Sequence, residues 1–157
     1  MYEIQTQNSA VKYGVPVPWI QAVIEVESNW VATAHSANDG YGLMQLLLTT
    51  AQGLGYTGTA QGLFDPTTNI DLGTKFLAQL RGFYGDDFQR VYSHYNSGKP
   101  DAYLTNPIVA DHVAKAVAAL TKYINLAVTT VTGNPGASLI VIIIAGYLLM
   151  QWVRKNR

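Results

Sequence analysis

The stretch Ile20-Gln21-Ala22-Val23-Ile24-Glu25-Val26-Glu27-Ser28-Asn29-Trp30 decides how this chain is read. Apolar residues at 20, 23 and 24 recur at the spacing of one helix face, which predicts a helix over Pro18–Asn29. Glu25 and Glu27 stand two apart and so lie on different faces. Glu27 follows Ile20 by seven residues, Val23 by four and Ile24 by three, so it belongs to the buried side, with Glu25 on the outer side. A carboxyl group half-buried near a helix end loses solvation, and its pKa rises. That is the condition a general acid needs near neutral pH. An isolated Glu in this position is more simply read as a core carboxylate held by structural hydrogen bonds, so its neighbours decide.

Nine residues on stands Ser36, followed by Gly40-Tyr41-Gly42-Leu43-Met44-Gln45. Glycines at 40 and 42 permit a close backbone approach, which suits a sugar chain. Gln45 offers an amide donor and acceptor together, apt for an acetamido group. Downstream, Tyr92-Ser93-His94-Tyr95-Asn96-Ser97-Gly98 is a polar and aromatic cluster of the kind carbohydrate grooves use. Taken singly, Gly-Tyr-Gly is only a turn and Tyr95 only a core aromatic.

The surrounding pattern is helical. Helices are predicted over Gly42–Gly53, over Thr67–Gly85 after Asp65-Pro66, over Phe88–Tyr95, and over Asn106–Thr132. In the last of these, Ile108, Val109, Val113, Val117, Leu120, Ile124, Val128 and Val131 form one apolar face that packs on the preceding domain. No β-hairpin is predicted, and Gly53–Gly62 holds at most a short extended piece. The fold class is mainly α. Expected boundaries are a lead-in at 1–15, a catalytic domain at 16–105, an amphipathic helix at 106–132, a linker at 133–136, an apolar span at 137–153 and a basic tail at 154–157.

Five ordered blocks carry a resemblance. Glu27-Ser28-Asn29-Trp30, Ser36, Gly42-Leu43-Met44-Gln45, Leu63-Phe64-Asp65-Pro66 with Asn69-Ile70 and Gly73, and Tyr95-Asn96-Ser97-Gly98 resemble the soluble lytic transglycosylase domain family. The resemblance implies a lysozyme-like helical fold, related to goose-type lysozyme. It also implies cleavage of the β-1,4 bond between N-acetylmuramic acid and N-acetylglucosamine in peptidoglycan. Glu27 matches the family's catalytic acid. It would protonate the glycosidic oxygen, then accept the proton of the muramyl 6-hydroxyl as a 1,6-anhydro ring closes. One carboxylate suffices, unlike the two of most glycosidases. Ser36 matches the serine near the acid, Met44 and Gln45 a groove-lining pair, Tyr95 the tyrosine near Glu27 and Asn96 the residue that buttresses it.

The chain departs from the family pattern in three places. Leu46-Leu47-Leu48-Thr49-Thr50-Ala51 lacks the usual proline, so helix entry there is expected to differ. His94 precedes the Tyr-Asn pair and reads as a partly exposed spacer. Asp39 replaces a common glycine and reads first as a turn residue. The rival enzymatic reading is a muramidase-type hydrolase with the same groove, in which Asp39, if it faced the groove, or another carboxylate activates water. A glycan-binding tether without catalysis is the third reading.

Composition limits the remaining choices. Lys+Arg and Asp+Glu are both 10, so no net field draws nucleic acid. With no cysteine, disulfides and thiolate sites are excluded. His35 and His112 show no metal-site spacing with acidic residues, and neither metal nor cofactor is expected. Only 13% of residues are charged, against about 25% in a typical soluble chain. Much of that deficit lies in 137–153, ASLIVIIIAGYLLMQWV, about 25 Å long as a helix against a core of about 30 Å. Trp152, Arg154, Lys155 and Arg157 at its end suit a membrane boundary with the tail inside. The start, MYEIQTQNSAVKYG, is not a secretory signal. The expectation is therefore a membrane-anchored enzyme facing peptidoglycan, in the bacterial envelope or on a bacteriophage virion membrane beside other virion proteins.

Overall fold

A computed structural model describes residues 2–132 of the chain. The expected linker at 133–136, span at 137–153 and tail at 154–157 lie outside the described residues. Among the described residues no helix is long and apolar enough to cross a membrane.

Among the described residues six helices and a minimal hairpin follow in order: α1 (Glu3–Tyr13), α2 (Val17–Ser28), β1 (Gly40–Tyr41), β2 (Leu46–Leu47), α3 (Leu48–Gly53), α4 (Pro66–Tyr84), α5 (Phe88–Ser97) and α6 (Pro107–Thr132). Short 3-10 turns at Ala60–Phe64 and Ala102–Leu104 precede α4 and α6. Met1–Leu120 form one unit, and the site lies wholly within it. In the second unit, which begins at Thr121, Tyr123 of α6 is buried.

The helix starts are written in the sequence. Asp65 accepts a hydrogen bond from the Thr68 amide at 2.8 Å, with Pro66 in the first turn of α4. Asp87 does the same for Arg90 at the start of α5 (3.2 Å), and Asn106 for Ile108 at the start of α6 (3.0 Å). The core is built on α2 and α4: Ile20, Val23, Ile24, Ile70 and Leu77 are fully buried together with Leu43, Leu63 and Val91.

The structure corrects the sequence reading in four places. Residues 3–13 are not a lead-in but a helix packed against α2 and α4. Its pattern is inverted: Thr6, Ser9 and Ala10 are buried, while Ile4 and Val11 are exposed. The small inner residues let the backbone approach α4, and Asp71 fixes the contact by accepting from Lys12 Nζ (2.7 Å) and Tyr13 Oη (2.9 Å). The predicted helix over Gly42–Gly53 is instead a turn, a strand and a short helix. Gly42 and Gln45 lie at φ 73° and 47°, outside the right-handed helical region, so a helix cannot run through them. The hairpin not foreseen pairs Gly40 with Leu47 and Tyr41 with Leu46, antiparallel. On α6, Val109, Val113, Ala116 and Ala119 face inward, but Ile108 is 70% exposed rather than part of the packed face.

Candidate active site

Glu27 lies in the last turn of α2. The helix stops two residues later because Asn29 and Trp30 both adopt left-handed backbone, φ 48° and 66°. Ser28 ties this end to the glycine-rich turn by donating to Leu43 O at 2.8 Å, with Ile24 O at 3.1 Å. The turn is itself pinned by Asn69 of α4, which is fully buried. Asn69 accepts from the Met44 amide at 2.7 Å and donates to Tyr41 O at 2.8 Å and Leu63 O at 2.7 Å. Gly42 is required beside it: at φ 73° a Cβ would strike both Leu63 O and the Asn69 amide.

From α5, Phe88, Tyr92 and Tyr95 share one face, with the Tyr92 and Tyr95 rings stacked at 6.3 Å. Their hydroxyls reach different partners. Tyr92 Oη donates to Glu27 Oε1 at 2.8 Å, and Tyr95 Oη donates to Met44 O at 2.7 Å. One helix thus holds both the carboxylate and the turn opposite it.

These elements enclose a cavity of about 350 Å³. Glu27, Ser36, Gln45, Tyr95 and Asn96 line it, joined by Asn38, Leu47, Thr50, Phe76 and His112. Glu27 is the only carboxylate among these lining residues. Desolvation pushes its pKa from 4.5 up to about 7, against the opposing pull of the Tyr92 hydrogen bond. Its place at the negative end of α2 acts in the same direction as desolvation. Tyr92 is held well above its ordinary range, first by desolvation and then by the Glu27 charge, so it remains a donor.

Several predicted roles take a different form. Tyr95 lines the cavity, but its hydroxyl goes to Met44, and the tyrosine bonded to Glu27 is Tyr92. Met44 does not line the groove: its side chain is fully buried, because Gly73 leaves a slot in α4 that a Cβ would close against the Met44 sulfur. Gln45 lines the cavity with its donors already used, since Nε2 bonds Ala34 O at 3.0 Å and Gly42 O at 2.8 Å. Two carbonyls within reach orient the amide and leave Oε1 as its free acceptor. Ser36 Oγ accepts from the Gly40 amide at 3.0 Å. Asn96 makes no side-chain hydrogen bond among the described residues, which leaves its amide open to a ligand. Asp39 is not in the cavity lining: its side chain is 77% exposed and sits 3.3 Å from His35 Nε2. His94 Nδ1 lies 2.8 Å from Tyr84 Oη, also away from the cavity.

Sequence reasoning placed Tyr92 in the downstream aromatic cluster and Ser28 and Asn69 in the family blocks without giving them these contacts, and it missed His112 as part of the site. The 88, 92, 95 spacing was the available signal for Tyr92, since it puts three aromatic rings on one helix face. Nothing local marks Asn69 or His112, whose partners are set by the tertiary fold.

Comparison with known proteins gives the chain a family and a fold. The family model described as the transglycosylase SLT domain matches residues 5–103. The membrane-bound lytic murein transglycosylase C of Shigella sonnei (strain Ss046) is 38% identical over 106 residues, 59% of this chain and 30% of that protein. The chain therefore spans about a third of that relative's length. Two solved structures share the fold. The 70 kDa soluble lytic transglycosylase of Escherichia coli superposes with a TM-score of 0.71 at 21% identity, over 78% of this chain and 24% of its own. An inactive mutant of the Pseudomonas aeruginosa lytic transglycosylase Slt gives 0.70 at 22% identity, over 78% and 24%. With its mainly helical, lysozyme-like fold and a family match over most of its described length, the chain belongs to the transglycosylase SLT domain family.

Proposed function

We propose that this chain is a peptidoglycan lytic transglycosylase in which Glu27 acts first as acid and then as base. The observation that carries this reading is a lone, desolvated carboxyl group in the cavity, poised near neutral pH. Protonated Glu27 gives its proton to the glycosidic oxygen as the C1–O bond of the muramyl residue breaks, which frees the 4-hydroxyl of N-acetylglucosamine. The resulting carboxylate accepts the proton of the muramyl 6-hydroxyl while that oxygen bonds C1. Glu27 ends reprotonated, no water is consumed, and the product carries a 1,6-anhydro ring. Most glycoside hydrolases use a second carboxylate about 5–9.5 Å from the first to activate water or attack C1. Asp39, the candidate for that role, points to solvent beside His35. Full-length protein incubated with purified peptidoglycan should release soluble fragments; intact sacculi after incubation with folded protein would overturn the reading.

The pH profile follows from the same group. Because Glu27 must be protonated to begin, kcat/KM should fall as pH rises through about 7. The Tyr92 hydrogen bond lowers the Glu27 pKa. Its loss in Tyr92→Phe should therefore move the alkaline limb to higher pH, read from initial rates between pH 5 and about 9. An unmoved limb would mean that another group sets it.

Residues 137–153 are proposed to anchor the domain in a membrane, supported by their uncharged apolar run and the basic residues that follow. The name of the Shigella sonnei relative, membrane-bound, is in keeping with this. An anchored enzyme reaches only the wall beside its membrane, so cleavage would be local, as in phage infection. Recovery of the protein in purified phage particles supports that setting, and recovery only in host membranes excludes it.

A further inference from the structure

The helix read from sequence as a packing element also enters the cavity. His112 stands on α6 between the buried Val109 and Val113, and its ring forms part of the wall that Glu27 shares. His112 Nδ1 is buried without a hydrogen-bond partner, and no described residue bonds either ring nitrogen. Buried polar atoms are seldom left unpaired, because each forgoes its bonds to water and gains nothing in return. The ring that carries this atom lines the cavity, so a turn of the imidazole presents a nitrogen to a ligand there.

Beside the open Asn96 amide and Gln45 Oε1, much of the polar wall is already engaged. The hydroxyl of Tyr95 and the amide hydrogens of Gln45 are already bonded to backbone carbonyls. Glu27 is engaged by Tyr92. An N-acetylated sugar brings hydroxyls and an acetamido group that need both donors and acceptors, and an imidazole supplies either. The matched family segment ends at residue 103, so it does not include α6 or the residue at 112.

We propose that His112 is a substrate-binding residue whose imidazole hydrogen-bonds an N-acetylated sugar of the glycan strand seated beside Glu27. The proposal rests on the glycan-cleaving reading above. A hydrogen bond of this kind, gained only with substrate, lowers KM and holds the strand against the acid.

Two measurements on the full-length chain test it. In the first, His112→Phe, which keeps ring bulk and removes both nitrogens, should lower kcat/KM on peptidoglycan about 10-fold, mainly through KM. His112→Gln should recover most of that loss, because an amide again offers a donor and an acceptor. In the second, the histidine ring ¹⁵N signals of a Glu27→Gln protein are followed as the tetramer of N-acetylglucosamine is added. The His112 signal, assigned by its disappearance in His112→Phe, should shift, while that of His94, already bonded to Tyr84, should not. Wild-type kcat/KM in a folded His112→Phe protein, or bound tetramer with an unmoved His112 signal, overturns the proposal and leaves the enzyme reading intact. No cleavage by the wild-type chain overturns both.

Discussion

Glu27→Gln should reduce peptidoglycan cleavage by about a thousandfold or more and make the protein more stable at pH 8. The first effect follows from Glu27's two duties. A general acid or base contributes roughly 10²–10⁴ to a rate, and the proposed reaction uses one group for both. Glutamine fills the same space and still accepts the Tyr92 hydrogen bond, but has no proton to give at this strength. The second effect has the opposite sign because burial disfavours the charged form. The folded pKa is raised from 4.5 to about 7, so the folded protein binds the Glu27 proton more tightly than the unfolded chain. That contribution to stability is fully present below pH 4.5 and is lost as pH rises to about 7. Above that point wild type carries a buried charge whose cost is at most about 3 kcal/mol. Urea unfolding should find the mutant more stable at pH 8 and equal to wild type near pH 4. An equally stable mutant at pH 8 would mean that the carboxyl group is well solvated, and the argument for its acid role would fail with it.

Asn69→Ala should be the most destabilising single change in the domain outside the apolar core. The side chain is fully buried and makes three hydrogen bonds, all to backbone. Alanine would strand the Met44 amide and the Tyr41 and Leu63 carbonyls in the interior and leave a small void. Each orphaned group costs about 1–3 kcal/mol before relaxation, so a total near 3–5 kcal/mol is expected. Against a typical stability of about 5–15 kcal/mol, that is enough to unfold much of the protein near its working temperature. The change would also loosen the turn that carries Gln45 and the Met44 carbonyl on which Tyr95 closes. Activity should fall with stability and recover in part on cooling. A loss below about 1 kcal/mol in urea unfolding would show that the turn holds its shape without Asn69.

The parts of the fold that could be read from sequence were those governed by local rules. α2, α4 and α5 begin and end within about two residues of their predicted bounds, because Pro18, Asp65-Pro66 and Asp87 mark starts that depend on neighbouring residues alone. α1 was missed because its inward face is Thr6, Ser9 and Ala10, and only its packing against α2 and α4 makes that face a buried one. Residues 42–53 were misread because leucines at 43, 46, 47 and 48 imitate helical periodicity, while the left-handed backbone at Gly42 and Gln45 is set by Asn69, 24 residues beyond Gln45.

The site was legible to the same degree. Placing Glu27 on the inner face of α2 needed only helix geometry. Giving it Tyr92 rather than Tyr95 as partner required knowing how α5 lies across α2, which no local pattern specifies. Met44 was assigned to the groove with its block, but Gly73 provides a buried slot for its side chain. His112 was weighed only as a metal ligand, on a helix read as a packing element.

The central claim is that one carboxylate cleaves the glycan without water, and the mass of the products tests it most directly. Full-length protein would be incubated with purified peptidoglycan in water enriched in ¹⁸O, and the soluble muropeptides weighed. The account predicts 1,6-anhydromuramyl ends, one water lighter than lysozyme products, with no ¹⁸O incorporated and none formed by Glu27→Gln. Reducing ends carrying ¹⁸O would contradict it and establish hydrolysis instead.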